Sequence, residues 1–212
     1  MKKLLSLSLA SLMLVLALCS CSCSVRVGDK TYSSDNNDSS AAESAEETPE
    51  NTQNLLFTWK IKIDGVDYTV PFDYSEIAAN GFTFDTSKDA ELGKRTYTVF
   101  SSTLKKDDKS FSVKYWNPSD TPKMLSQCQI GDVSFYASNP IEVVLPGGLV
   151  FDESVTVQDI IDKYGEPDTM NEKEDYTSIY YRQDTYSTVN FMIYTKEEAK
   201  FKYNEVSIQN FV

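Results

Sequence analysis

FTWKIKIDGVDYTVPF, residues 57–72, contains two runs in which apolar and polar residues alternate, and the runs meet at Asp64-Gly65. Side chains along a β-strand point to opposite faces in turn, so each run predicts a strand with one buried face. Asp-Gly between two such runs is a strong signal for a tight turn, and Pro71 cannot continue a central strand. The stretch therefore predicts a β-hairpin at the start of a folded region.

The hairpin is followed by one short helix and three strands. DYSEIAANG, residues 73–81, has a capping residue, a small apolar stripe and a glycine at its end, which is typical of a short helix. Alternation then predicts strands in TYTVFSSTL (96–104), SFSVKYW (110–116) and QIGDVSFYA (129–137). The charged segment KKDDK, residues 105–109, is interpreted as a solvated turn between the first two of these strands.

The second half of the chain repeats this order of elements. IEVVLPGG, residues 141–148, predicts a strand that a Pro-Gly-Gly break ends. Residues 157–164 carry apolar side chains at the spacing of one helix face, with Thr156 as the cap and Gly165 and Pro167 after the last turn. Three further strands are predicted in YTSIYYR (176–182), STVNFMIYT (187–195) and EVSIQNFV (205–212).

These elements predict an α+β fold with two similar lobes, residues 55–138 and 139–212, each an antiparallel sheet with a short helix. YSEIAANGF in the first half resembles VQDIIDKYGEP in the second, which favours an internal duplication. The alternative is that the two halves are unrelated and that their elements merely follow one another in the same order.

The second half is similar in pattern to envelope modules of the SmpA/BamE type and to β-lactamase inhibitor proteins. In both families a helix that ends in Gly-x-Pro leads into an antiparallel sheet rich in aromatic residues. The matching segments cover about a third of the chain: Val157–Pro167, Tyr176–Tyr181, Val189–Tyr194 and Val206–Phe211. The usual pair of helices is replaced here by one. The resemblance implies a protein-binding or assembly module and not an enzyme.

The N-terminus has the pattern of an export signal, residues 1–20: two lysines, an apolar run to Leu18 and then small residues. Cys19, Cys21 and Cys23 follow one another at a spacing of two. This spacing is poor for a zinc site or for a disulfide between neighbours, and the chain contains no His.

Leu18-Cys19-Ser20-Cys21 resembles the lipobox of bacterial lipoproteins. The resemblance implies that Cys21, or Cys23 as second choice, receives lipid and holds the protein on the extracytoplasmic face of the cell membrane by its acyl chains, such as palmitate. Residues 21–54 are rich in Ser, Asp and Glu and poor in apolar side chains. They predict a disordered acidic tether, because such a segment gains too little from burial to become ordered.

The composition of the chain argues against several kinds of function. The net charge of −12 disfavours nucleic acid as a partner, since contact of Lys and Arg with phosphate dominates that affinity. Without His there is no Ser-His-Asp set and no imidazole metal site, and no phosphate-binding loop is present. We therefore expect no catalytic residues, no metal and no cofactor. A hydrolase without histidine, which would need a cleft with strongly perturbed carboxylates, is the third hypothesis.

The expected function is a non-catalytic protein-interaction or envelope-assembly module with an envelope protein as partner. Tyr180, Arg182 and Tyr194 are the candidate contacts, because exposed Tyr and Arg are favoured at interfaces. Tyr181 and Met192 are expected to pack against the other lobe instead. The alternative is a lipoprotein that binds a small ligand or a glycan. A deep pocket lined by Trp59 or Trp116 would favour that alternative, and a flat exposed sheet would favour a protein partner.

Overall fold

The computed structural model describes residues 53–195 and 203–212, which all belong to one compact unit. The predicted signal peptide, the lipidation candidates Cys21 and Cys23 and nearly all of the predicted tether lie outside the described residues. Within the described ranges no helix is long and apolar enough to span a bilayer.

Three α-helices are present in these ranges: α1 Gln53–Leu56, α2 Tyr74–Ala79 and α3 Val157–Tyr164. The predicted bounds of α3 are confirmed, and its cap explains them. The backbone N–H of Thr156 donates to the Asp159 carboxylate over 2.9 Å, and the Asp159 N–H donates to the Thr156 hydroxyl over 3.2 Å. Gly165 ends the helix with a φ of 76°, which a residue with a side chain rarely adopts.

Fourteen strands are described. They are β1 Lys60–Ile63, β2 Val66–Thr69, β3 Phe72–Asp73, β4 Glu91–Leu92, β5 Thr96–Tyr97, β6 Ser102–Lys106, β7 Lys109–Asn117, β8 Lys123–Met124, β9 Gln129–Tyr136, β10 Val143–Val144, β11 Thr169–Glu172, β12 Tyr176–Arg182, β13 Ser187–Tyr194 and β14 Glu205–Asn210. Short 3₁₀ turns occupy Thr86–Lys88, Leu125–Gln127 and Pro146–Gly148.

One antiparallel sheet of nine strands dominates the fold, in the order β11-β12-β13-β14-β9-β7-β5. Strand β6 also pairs with β7, and β3 pairs with β9. A three-stranded sheet, β10-β1-β2, and a two-stranded sheet, β4-β8, complete the structure. The described chain is thus mostly antiparallel sheet with few helices, in agreement with an α+β or mostly-β class.

The hydrophobic core covers one face of the nine-stranded sheet. Ile77 of α2 and Ile160 and Tyr164 of α3 are fully buried there. The Tyr164 ring lies 6.1 Å from that of Phe191 on β13, and its hydroxyl donates to the Pro146 carbonyl over 2.8 Å. Aromatic and aliphatic side chains of the strands fill the rest of this layer, among them Phe111, Val113, Tyr115, Val133, Phe135, Ile179, Tyr181, Val189, Val206 and Ile208.

The predicted hairpin is confirmed, with β1 and β2 on either side of Asp64-Gly65. Trp59, expected in the first strand, precedes it with a φ of 59°. The charged turn between β6 and β7 has a role that the sequence did not indicate. Lys106 lies 3.1 Å from the Asp64 carboxylate, and Lys109 forms a second ion pair with it, so the tips of two hairpins are held together.

The prediction of one continuous strand over residues 96–104 is wrong. It divides into β5 and β6, which both pair with β7, and Val99 and Phe100 between them are 76% and 85% exposed. At the break, the Tyr115 N–H donates to the Thr98 hydroxyl in place of a backbone carbonyl. The strand predicted in residues 141–148 is reduced to the two residues of β10.

Candidate functional site

The second face of the nine-stranded sheet is the candidate site. Along β12, the buried residues Thr177, Ile179 and Tyr181 alternate with partly exposed ones, and β7, β13 and β14 show the same alternation. We call this second face the open face. Strand register places on it Asp73, Tyr97, Thr103, Lys105, Ser110, Ser112, Lys114, Trp116, Gln129, Asp132, Ser134, Tyr136, Thr169, Asn171, Tyr176, Ser178, Tyr180, Arg182, Thr188, Asn190, Met192, Tyr194, Glu205, Ser207 and Gln209.

The composition of the open face differs from that of the whole chain. The chain has 32 Asp and Glu residues, yet among the strand residues that the structure describes on this face the acids are Asp73, Asp132 and Glu205. Tyrosine, serine, threonine and asparagine dominate instead. Such residues combine apolar contact area with adaptable hydrogen bonds, which suits recognition of another molecule.

An ion pair lies near the centre of the open face. Lys114 Nζ is 2.7 Å from Asp132 Oδ2, and the Asp132 side chain is only 3% exposed. Burial raises the pKa of Asp132 above its ordinary value, against the lowering effect of Lys114. Burial, and then the charge of Asp132, raises the pKa of Glu205. Asp132 and Glu205 therefore carry their negative charge at a cost in free energy, and Lys114 offsets part of that cost for Asp132.

The three predicted contact residues all lie on the open face. The Arg182 guanidinium sits 5.1 Å from the centre of the Tyr180 ring, a cation–π distance. Tyr180 is opposite Asn190, four residues along β13 from Tyr194, a separation of about 13 Å along the strand. The structure thus brings Tyr180 and Arg182 together and places Tyr194 apart from them.

Tyr194 belongs to a second aromatic group at the end of the face. Its ring lies 5.8 Å from that of Tyr176, and its hydroxyl donates to Met192 Sδ over 3.3 Å. Tyr136 lies at the same end of the face, opposite Glu205, whose charge raises the pKa of that tyrosine.

The expectation that Tyr181 and Met192 pack against the other lobe is wrong. Tyr181 is fully buried on the covered face, where its hydroxyl donates to the Gly165 carbonyl over 2.8 Å and its ring contacts Tyr164. It therefore fixes the end of α3 within its own half of the chain. Met192 is partly exposed on the open face, between Ser178 and Glu205.

A cavity of about 280 Å³ lies at the other end of the open face, and we call it the Trp116 cavity. Its lining residues are Arg95, Thr96, Tyr97, Trp116, Tyr186 and Phe211. The Tyr97 and Phe211 rings are stacked, 4.5 Å apart with only 5° between their planes. Apart from Trp116, sequence reasoning missed these residues. They come from β5, β7, the β12–β13 turn and the chain end, and no local pattern joins them.

Trp59, the other tryptophan considered for a pocket, is 9% exposed and packs against Phe57. Two larger cavities are lined by described residues, of about 670 and 550 Å³. The first lies beside Tyr68 and Phe72, and the second is lined mainly by hydroxyl and charged groups near Phe84. Neither is bordered by the buried Asp132 or the partly buried Glu205.

Few of the described groups are arranged for catalysis. Cys128 is buried, donates to the Met124 carbonyl and has a pKa raised by burial, so its thiol is poorly activated. No cluster of three or more His, Cys, Asp or Glu side chains in residues 53–195 and 203–212 could hold a metal ion. Asp132, the most buried carboxylate described, is occupied by Lys114.

Comparison with protein-family models, with curated proteins and with solved structures finds no match to this chain. What the protein binds has to be inferred from its own residues.

Proposed function

We propose that this protein is a membrane-anchored extracytoplasmic lipoprotein that acts as a non-catalytic protein-interaction or envelope-assembly module. The open face is its binding surface. The observation that carries the proposal is the composition of this face: a broad sheet surface of Tyr, Ser, Thr and Asn, with three carboxylates among its described strand residues, in a strongly acidic chain.

The physical argument rests on what such a surface does on contact. Tyrosine buries a large apolar ring at low cost in side-chain entropy, and serine and asparagine adapt their hydrogen bonds to the partner. The scarcity of carboxylates lowers the desolvation cost, because few charges would have to lose water. Tyr180 and Arg182 supply two of the residue types that most often anchor protein interfaces.

The order of the nine-stranded sheet supports a fold of two similar lobes. Helix α2 is followed by β6, β7 and β9, and α3 is followed by β12, β13 and β14. The last strands of the two series, β9 and β14, pair at the centre of the sheet, so the order of strands is symmetric about that contact. We propose a duplication with the bounds 55–138 and 139–212.

The proposed partner can be captured by crosslinking on intact cells that carry the protein with a C-terminal tag. One dominant envelope protein should co-purify, and it should be lost when Tyr180, Arg182 and Tyr194 are changed together to alanine. A matched control changes Lys60, Asp67 and Lys94 to alanine, three exposed residues outside the open face. Equal recovery of the partner by both variants would contradict the assignment of the open face.

The proposed lipid anchor has its own test. The mature N-terminal peptide should carry acyl mass on Cys21, and Cys21→Ser should abolish processing and membrane retention, because two or more acyl chains are needed for stable anchoring. Cys23→Ser is the matched control and should leave both unchanged. An unmodified N-terminal residue on the mature protein would refute the anchor.

A further inference from the structure

The Trp116 cavity differs from the rest of the open face in its shape and its chemistry. Flat aromatic rings form its walls, and charged and hydroxyl groups lie among its lining residues. We propose that this cavity is a carbohydrate subsite that holds a single pyranose ring. The inference is independent of the protein partner proposed above.

The size of the cavity favours one ring. Pockets for drug-sized ligands are roughly 300–1,000 Å³. At about 280 Å³, the Trp116 cavity lies just below that range. Tyr97, 39% exposed, and the Trp116 ring supply flat apolar surface, and Phe211, 5% exposed, supports both rings from behind at 4.5 and 6.0 Å. The C–H face of a pyranose is the flat, weakly apolar surface that packs on such rings.

The polar groups around the cavity favour hydroxyl ligands. Arg95 Nε donates to Asp120 Oδ1 over 2.7 Å, and both side chains are more than two-thirds exposed. A guanidinium beside a carboxylate offers donors and acceptors together, and a sugar hydroxyl both donates and accepts. The hydroxyls of Thr96 and Tyr186 add groups of the same kind.

The charges argue against an anionic ligand. Asp120 already neutralises Arg95, and the chain has a net charge of −12, so a phosphate or carboxylate would meet no free excess of positive charge. A purely apolar ligand would leave the hydroxyls of Thr96 and Tyr186 without a hydrogen-bond partner wherever it covered them.

Two features show that the cavity wall is tightly arranged. Gly131 lies under the Phe211 ring, and a Cβ at that position would come within 2.4 Å of Phe211 Cδ1, so only glycine lets the ring sit where it stacks on Tyr97. The Trp116 indole N–H is buried and has no acceptor among the described residues. A buried donor without a partner is uncommon in native structures, and its lack of exposure shows that the indole edge is packed into the wall.

The test is a tryptophan-fluorescence titration of the full-length protein in a non-glycosidic detergent. Trp59→Phe leaves Trp116 as the single reporter. Glucose, galactose, mannose and N-acetylglucosamine are added in turn up to about 50 mM, since single-ring ligands with few contacts bind in the millimolar range, about −4 kcal/mol. At least one sugar should give a saturable change. Tyr97→Leu, which keeps apolar bulk but removes the ring, should weaken that binding at least tenfold.

Tyr136→Ala is the matched control, because Tyr136 is 41% exposed on the same face and Tyr97 is 39% exposed. It should leave sugar binding unchanged. The proposal is overturned if none of the four sugars gives a saturable response in Trp59→Phe protein that has the same unfolding midpoint as the wild type. A response that Tyr97→Leu does not weaken also overturns it. If Tyr97→Leu abolishes capture of a protein partner and no sugar binds, the cavity belongs to the protein-binding surface and the sugar proposal is wrong.

Discussion

The two faces of the nine-stranded sheet are built from the same strands, but they differ in the burial of their side chains and in their residue composition. On β13, Phe191 is fully buried against Tyr164 and Tyr181, while its neighbour Met192 is partly exposed beside Ser178. Because the register of a strand assigns alternate residues to opposite faces, one strand can stabilise the fold with one set and present a surface with the other. Stability is therefore concentrated on the covered face.

Two places on the open face depart from this division by their tight packing. The Lys114–Asp132 pair is largely removed from water on a face that is otherwise partly exposed. Gly131, at the irregularity in the pairing of β9 with β7, gives room to the Phe211 ring. At these two places, substitutions on the open face should cost stability.

The largest effect is expected at Phe191→Ala. Removal of a fully buried aromatic ring leaves a cavity and should lower the free energy of unfolding by about 3–5 kcal/mol. The matched substitution Met192→Ala, on the next residue of the same strand, should cost less than about 1 kcal/mol because its side chain already contacts water. Urea unfolding at neutral pH measures both.

Equal costs for Phe191→Ala and Met192→Ala would contradict the division between the faces. A large cost at Met192 alone would mean that another part of the chain covers the open face.

Local patterns were enough to predict the long elements. Alternation predicted β7, β9, β12, β13 and β14, and the capping pattern predicted α3, because each of these elements buries one regular face. The same alternation correctly separates Tyr180 and Arg182 from the residues of the covered face. Their role in binding stays a prediction.

Other features depend on tertiary contacts and left no local signal. The four residues of β11 are all exposed, so they carry no apolar alternation. The break between β5 and β6 arises because the four residues 98–101 lie opposite only the two residues 114–115 of β7, so the chain has to bulge outwards there. The Trp116 cavity gathers side chains from distant segments of the chain. The role of Tyr181 was missed since its partner, the Gly165 carbonyl, becomes adjacent only in the folded sheet.

The second largest effect is expected at Lys114→Met. The variant leaves the Asp132 carboxylate buried without its cation, and the loss of one partner of a buried pair costs about 3–5 kcal/mol. Because the Lys114 side chain is 27% exposed, we expect about 2–3 kcal/mol at pH 7. Lys105→Met, on an exposed lysine of the same face, is the control and should change stability by less than about 0.5 kcal/mol.

The cost of Lys114→Met should depend on pH. Burial already raises the pKa of Asp132 in the folded protein, so the folded state binds its proton more readily than the unfolded chain. The penalty is therefore present at neutral pH and is relieved as pH falls through the folded pKa of Asp132. The difference between variant and wild type should shrink from pH 7 towards pH 4, because a protonated carboxyl needs no cation. A difference that is independent of pH would show that lost packing causes the cost.

The smallest of the three effects is expected at Gly131→Ala. The added methyl group would lie 2.4 Å from Phe211 Cδ1 and 3.1 Å from the Asn210 carbonyl oxygen, so the ring must move. Overpacking of this kind costs about 1–3 kcal/mol, and we expect the low end because Phe211 is close to the end of the chain. Gly93→Ala is the matched control, since its nearest neighbour would be at an ordinary 3.5 Å, and it should change the unfolding free energy by less than about 0.5 kcal/mol. The displaced ring should also alter the fluorescence of Trp116, 6.0 Å away, in Gly131→Ala but not in Gly93→Ala. If Gly131→Ala changed neither signal, Phe211 would be loosely held, and Gly131 would not be a place where the open face contributes to stability.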